Sequence, residues 1–389
     1  MRSVSFFVLA LIVMLTGCNT KESKKNMHTS TVEKAFIGNY TRDEGWVNGK
    51  AEGIYRISLG SNGTELSLDE TAAQVINPSF LAISPDKNHL YAVSELARPD
   101  EETGFVVAFH INDDLSLEYI GKYPSNGQAP AHVSVHPTGD MVFAANYLGG
   151  VAMVYKRNED GSLEATQQID VEGSGPHQNQ DASHTHMVKV SPDGKYLFIP
   201  DLGSDKIWSF AIDTESATVS PTDQEFASVA PGSGPRHMDF HPTLNIAYVI
   251  NELNSTLSVF DYDPASGSLQ EKQVVNTLPE DFNEWNSTAD IHVHPNGKFV
   301  YSSNRGHNSL AAFSVDASTG MLTFLNHTST EGEIPRNFAI NPNGEIVYVA
   351  NQNSDNITVF DLDTETGKLT FTKKELEIPT PVCIVFYEE

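Results

Sequence analysis

Ile334-Pro-Arg-Asn-Phe-Ala-Ile-Asn-Pro342-Asn-Gly-Glu-Ile-Val-Tyr-Val-Ala-Asn351 is the stretch whose reading decides the fold. Ile334 to Asn341 alternates apolar and polar residues, Pro342-Asn-Gly turns the chain, and Glu345 to Ala350 returns it, which predicts a β-hairpin. Asn356-Ile-Thr-Val-Phe-Asp-Leu-Asp and Thr366-Gly-Lys-Leu-Thr-Phe add two more β-rich runs, separated by a turn. A four-stranded sheet of this size cannot bury both of its faces alone. It needs copies of itself.

The copies are found by aligning on the turn proline. Pro85, Pro137, Pro192, Pro242, Pro295 and Pro342 recur at intervals of 47 to 55 residues, each after an alternating run such as His237-Met-Asp-Phe. Nine places after each proline stands a polar residue: Ser94, Asn146, Asp201, Asn251, Asn304 and Asn351. A period near 50 with four strands per unit is the signature of a β-propeller. The two chain ends complete one more unit. Pro381-Val-Cys-Ile-Val-Phe matches a first strand, and Ala35-Phe-Ile-Gly-Asn39 a second, followed by Gly53 to Ser58 and Thr64 to Leu68. The expected fold is therefore all-β, a seven-bladed propeller over residues 34–389 with a composite blade closed by both termini.

The first 18 residues read separately. Arg2 precedes an apolar run, Val4 to Leu15, that is too short to span a bilayer as a mature helix. Leu15-Thr-Gly-Cys18 resembles the lipobox of bacterial lipoproteins, which implies cleavage before Cys18, its lipidation, and an exported protein held to a membrane only by that anchor. Residues 19–33 are polar and read as a flexible tether. With Cys18 acylated, Cys383 is left without a disulfide partner.

The chain is 389 residues long and carries 24 basic against 51 acidic residues, a formal charge of −27, which argues against nucleic acid as a partner. An unbulged hairpin pairs the residue six before the turn proline with the one nine after it. This sets His186 beside Asp201, Arg236 beside Asn251, Arg336 beside Asn351 and Ala131 beside Asn146, all at the strand ends away from the proline turns. His132, His237, Asp290 and Asn337 are adjacent, then Tyr147, Glu252, Arg305 and Gln352. Three arginines, several histidines and Glu252 thus converge on one mouth. The Asn/Asp ring also has a structural reading, since an amide at a strand end ties down loop backbone. His136, His241 and His294 precede the turn prolines at the other strand end and read as structural. No Gly-x-Ser-x-Gly, His-Glu-x-x-His, Cys-x-x-Cys or phosphate-cradling glycine loop is present. No metal or other cofactor is required by these motifs, although a divalent cation held by funnel oxygens is compatible with the spacing.

Ser183-His-Thr-His-Met-Val-Lys-Val-Ser-Pro-Asp-Gly, Gly234-Pro-Arg-His-Met-Asp-Phe-His-Pro, Val249-Ile-Asn-Glu-Leu-Asn, Tyr301-Ser-Ser-Asn-Arg-Gly-His-Asn and Val349-Ala-Asn-Gln-Asn-Ser-Asp-Asn, taken in order, resemble the bacterial seven-bladed propeller lactonases. That family is best known for 6-phosphogluconolactonase and is related to fungal carboxymuconate cyclases. The resemblance spans about residues 35–387 and implies hydrolysis of a sugar lactone without a nucleophilic serine. The lipobox departs from it, because 6-phosphogluconolactone is made in the cytoplasm. On this reading His186 or Glu252 is the base, Asp201 orients His186, and Arg236, Arg305 and Arg336 hold the oxyanion and any anionic substituent. His186, Glu252 and Arg236 are the catalytic candidates. His132, Asn146, Asp201, His237, Arg305, Arg336 and Asn351 are the substrate-binding ones. The alternatives are a non-enzymatic propeller that binds glycan or protein through rim aromatics such as Trp46 and Trp285, and a muconate-type cycloisomerase.

Overall fold

The computed structural model describes Met1 and residues 33–387, so the expected leader, Cys18 and nearly all of the tether lie outside the described residues. Seven four-stranded antiparallel sheets form, as the period predicts. The blade of the opening stretch runs Pro335–Ile340, Ile346–Asn351, Asn356–Leu362 and Leu369–Glu377. In the composite blade the C-terminal strand Pro381–Tyr387 pairs with Lys34–Asn39, which continues to Ile54–Leu59 and Leu66–Ala73. The ring is closed by strands from both ends.

The core lies between blades. Because side chains alternate along each strand, one face of every blade meets one face of the next. Ile246, Tyr248 and Val259 of one blade pack on Ile291, Val300 and Phe313 of its neighbour. Closure repeats this with Ile37 and Tyr55 against Tyr348 and Val359. Tyrosine hydroxyls cross the same interfaces: Tyr248 donates to the Gly320 carbonyl and Tyr301 to that of Gly367, each at 2.9 Å.

The proline turns form the structural face. His136, His241 and His294 bond through Nε2 to the carbonyls of Gly194, Gly297 and Gly344 in the next blade, at 2.8, 2.9 and 2.7 Å. Gly344 has φ 77° and an added Cβ would stand 2.7 Å from the His294 ring, so turn and interface both demand glycine there.

One expectation fails in the same way in six blades. The inner hairpins are bulged at their mouth end. Asn251 pairs with Pro235 rather than Arg236, Asn351 with Pro335 rather than Arg336, and Asn146 with Pro130 rather than Ala131. Asp201 bridges Thr185, Asn304 pairs with Thr288, and Asn39 with Pro381. Ala131, His186, Arg236, Ala289, Arg336 and Val382 are thus the extra residues. A bulge turns its extra side chain out of the ladder's alternation. Five of these six line the floor of the central funnel.

Candidate active site

The funnel opens on the face opposite the proline turns. Its cavity of about 420 Å³ is lined by Trp46, Tyr147, His186, Glu252, Arg305 and Arg336 among others. A pocket of about 10 Å³, room for roughly one water, lies among Glu95, His186, Arg236, His237, Arg336 and Asn337.

Glu252 is the electrostatic centre. One oxygen lies 2.8 Å from Arg236 Nε, an ion pair without a well-aimed hydrogen, and the other 3.0 Å from an Arg305 terminal nitrogen. The Ser287 hydroxyl donates to it at 2.9 Å. Burial pushes the Glu252 pKa up, but Arg305, Arg236 and the Ser287 bond outweigh burial and leave it below the ordinary value. It is an ionised clamp whose two oxygens are already engaged by Arg236, Arg305 and Ser287.

The three arginines differ. Arg236 is 2% exposed and donates to the Ala289 carbonyl at 2.6 Å. Burial and then the Arg305 charge pull its pKa down to about 9. Arg305 is tied to Ser287 and to the Thr288 carbonyl as well as to Glu252. Arg336 is the exception. Among the described residues it is the one arginine that makes neither an ion pair nor a hydrogen bond, and it lines both cavities. Its guanidinium carbon stands 5.5 Å from the Tyr40 ring and 5.9 Å from the Trp46 ring, within cation–π range. Burial opposes its charge, but Tyr40, Glu95 and Glu252 hold its pKa above the ordinary value.

His186 is buried, and among the described residues its Nδ1 has no partner. Burial, then the charge of Arg236, drives its pKa well below the usual histidine range, so the ring is neutral at pH 7. The expected orientation by Asp201 does not form. The Asp201 carboxylate accepts from the backbone N–H groups of His184 and Gly203 and from the Ser204 hydroxyl and Trp208 indole, because the bulge turns His186 away from it. Packing holds His186 instead, with edge contacts to Tyr147 at 5.5 Å and His237 at 5.2 Å between ring centres. Beneath it His237 donates from Nδ1 to Asp290 at 2.8 Å and leaves Nε2 3.3 Å from Arg236. Burial and Arg236 bring its pKa to about 4, so this ring too is neutral.

Asn146 and Asn351 belong to the framework, against the expectation that they bind substrate. Both side chains are fully buried. Asn146 donates to the carbonyls of Ser125 and Val151, and Asn351 to the Thr330 carbonyl and the Thr358 hydroxyl. His132 is also set back from the cavity, packed on Phe80 at 4.0 Å.

Sequence reasoning missed Glu95 and Tyr40. Both follow the ring position, after Ser94 and Asn39, in the register that identified Glu252 and Arg305. Tyr40 donates to Glu95 at 2.9 Å, and the Ser79 hydroxyl reaches the same oxygen. Burial raises the Glu95 pKa, and Arg336 and the two hydroxyls only partly offset it. Among the described residues no group of three or more His, Cys, Asp or Glu side chains could hold a metal ion.

The family description "Lactonase, 7-bladed beta-propeller" matches residues 34–386. The chain belongs to the seven-bladed propeller lactonases. A Bacillus subtilis (strain 168) lactonase named 6-phosphogluconolactonase is 35% identical over 356 residues, covering 91% of this chain and 98% of its own. A Formosa agariphila protein of the same name is 35% identical over 311 residues, 78% of this chain and 85% of its own. A solved structure of a periplasmic gluconolactonase from Pseudomonas aeruginosa superposes with a TM-score of 0.85 at 32% identity, covering 92% of this lactonase and 99% of that chain.

Proposed function

We propose that this lactonase opens a sugar lactone by direct attack of water at the funnel floor. Arg336 carries the reading, as a half-buried cation that faces the cavity beside a neutral imidazole and makes no ion pair or hydrogen bond among the described residues. A charge in a site shielded from water stabilises a developing oxyanion far better than it could in bulk water.

The lactone carbonyl oxygen points to Arg336. His186, neutral and with no hydrogen bond at Nε2 among the described residues, takes a proton there from the attacking water as its oxygen bonds to the carbonyl carbon. Glu252 serves as the counter-charge that keeps Arg236 and Arg305 in place and leaves the base role to His186. When the tetrahedral intermediate collapses, the bond to the ring oxygen breaks, and that oxygen takes a proton from Glu95, whose raised pKa suits it to donate. The product is a hydroxy acid. His186 and Glu95 then re-equilibrate with solvent, with net release of one proton as the acid ionises. The scheme uses neither metal nor cofactor.

The relatives named 6-phosphogluconolactonase and gluconolactonase support an aldonolactone. Export with a lipid on Cys18 belongs to the same proposal, and rests on the Leu15-to-Cys18 sequence and on the relative described as periplasmic. The test is a panel of aldonolactones, assayed above the spontaneous rate with and without a chelator. Hydrolysis that survives the chelator and is lost in His186→Ala supports the scheme. Activity retained in a folded His186→Ala protein refutes the role of the base.

A further inference from the structure

Arg336 has no carboxylate partner among the described residues, so another kind of contact must aim it. We propose that Tyr40 and Trp46 are positioning residues of the reaction, whose rings fix the Arg336 guanidinium where the oxyanion forms and leave its charge uncompensated. This rests on the lactonase reading and deepens it.

The two rings come from one stretch of chain. Tyr40 follows Asn39 at the mouth end of its strand and is fully buried. Its hydroxyl donates to Glu95 at 2.9 Å, which sets the plane of the ring. Trp46 stands in the loop that follows and meets Tyr40 edge to face, with ring centres 5.1 Å apart and planes at 87°. The Arg336 guanidinium carbon lies over both rings, 5.5 Å from the centre of Tyr40 and 5.9 Å from that of Trp46.

The loop is built to keep Trp46 in that place. Asp43 bridges Asn48, the Glu44 N–H donates to the Val47 carbonyl at 2.9 Å, and the Gly49 N–H donates to that of Arg42 at 3.0 Å. Val47 packs on Tyr40 and Val382. From neighbouring segments, Asn77 donates to the Glu44 carboxylate and Arg98 to the Asp43 carbonyl, each at 2.6 Å, and Glu101 pairs with Arg42 at 2.8 Å. Trp46 is nevertheless 52% exposed, so these bonds do not serve to bury its ring. They secure its contact with Tyr40 and Arg336.

The chemistry explains why rings suit this arginine. A carboxylate would hold it as Glu252 holds Arg236 and Arg305, but would cancel its charge and occupy its N–H donors. An aromatic ring attracts a cation through its π face and takes no N–H donor. The donors of Arg336 stay available to a carbonyl oxygen that becomes negative, and the group is already aimed when that charge develops. Two funnel arginines are thus held by charge and one by rings.

The test measures kcat and KM for an aldonolactone, per folded protein, in Trp46→Leu and Trp46→Phe, each with and without Arg336→Gln. Trp46→Leu is expected to lower kcat about tenfold and to leave KM within about twofold. Trp46→Phe keeps a ring and should hold kcat within about threefold of wild type. In the Arg336→Gln background Trp46→Leu should cost nothing more, because Trp46 acts through Arg336. The same loss in both backgrounds, or a loss that falls on KM alone, makes Trp46 a substrate contact and overturns the proposal. Equal losses in Trp46→Leu and Trp46→Phe overturn it as well, as does wild-type kcat in Trp46→Leu. That comparison decides even where turnover in Arg336→Gln is too slow to measure. Wild-type protein that hydrolyses no lactone defeats the lactonase reading, and this role with it.

Discussion

Glu252→Gln tests the electrostatic design of the funnel because it removes one charge and almost no volume. Glu252 lies 2.8 Å from Arg236 Nε and 3.0 Å from Arg305, and both arginines are over nine-tenths buried. Gln can still accept from Ser287 but leaves two adjacent guanidinium groups without a counter-ion. Removing one partner of a buried ion pair typically costs about 3–5 kcal/mol. The cost here should fall in that range, since Arg236 already suffers from burial and from Arg305. Urea unfolding at pH 7 reads this as a lower midpoint at unchanged slope. Adding Arg305→Gln to Glu252→Gln should restore part of the loss, because one unpaired charge is removed. If Glu252→Gln unfolds within about 1 kcal/mol of wild type, the pairs are worth no more than surface salt bridges and the reasoning is wrong.

Other consequences follow from the same geometry. His132, His186 and His237 are all held below the ordinary histidine pKa by burial, so below about pH 6.5 the unfolded chain binds protons that the folded chain refuses. His292 acts in the opposite sense, because Asp290 overrides its burial and raises its pKa, but below about pH 6.5 it is protonated in both states and leaves the slope there unchanged. Stability should therefore fall as pH drops from about 6.5 toward 5, by up to about 4 kcal/mol per unit for the three depressed histidines; a urea midpoint unchanged between pH 7 and 5.5 contradicts this. Asn146→Ala removes a donor to two buried carbonyls and should cost about 1–3 kcal/mol. The same kcat/KM is expected in its folded fraction, whereas a selective loss of turnover would return Asn146 to the site. Glu95→Gln should lower kcat by about 10²-fold with little change in stability, and an unchanged kcat would remove Glu95 from the proton transfers.

The sequence discloses its fold because propeller signals are local. Proline turns and strand alternation repeat in each unit, and the mismatched termini fit only each other. The site was less legible. A bulge adds a residue without altering the composition of the strand, so alternation alone set Arg236 beside Asn251 and His186 beside Asp201, each one place out of register. The same arithmetic lent the buried Asn146 and Asn351 a binding role, although a residue behind a bulge points into the framework. Glu95 and Tyr40 escaped because the position after the ring residue was read only behind Asn146, Asn251, Asn304 and Asn351. Reading it behind Ser94 and Asn39 as well would have found both.

The most direct test of the account is kcat/KM for a neutral aldonolactone in Arg336→Gln, measured with the urea midpoint of the same protein. Among the described residues Arg336 has no ion-pair or hydrogen-bond partner to orphan, so the account predicts stability within about 1 kcal/mol of wild type. It also predicts a loss of about 10²–10³-fold in kcat/KM, the scale of removing one oxyanion donor. Wild-type turnover, or a loss explained by unfolding alone, would contradict it.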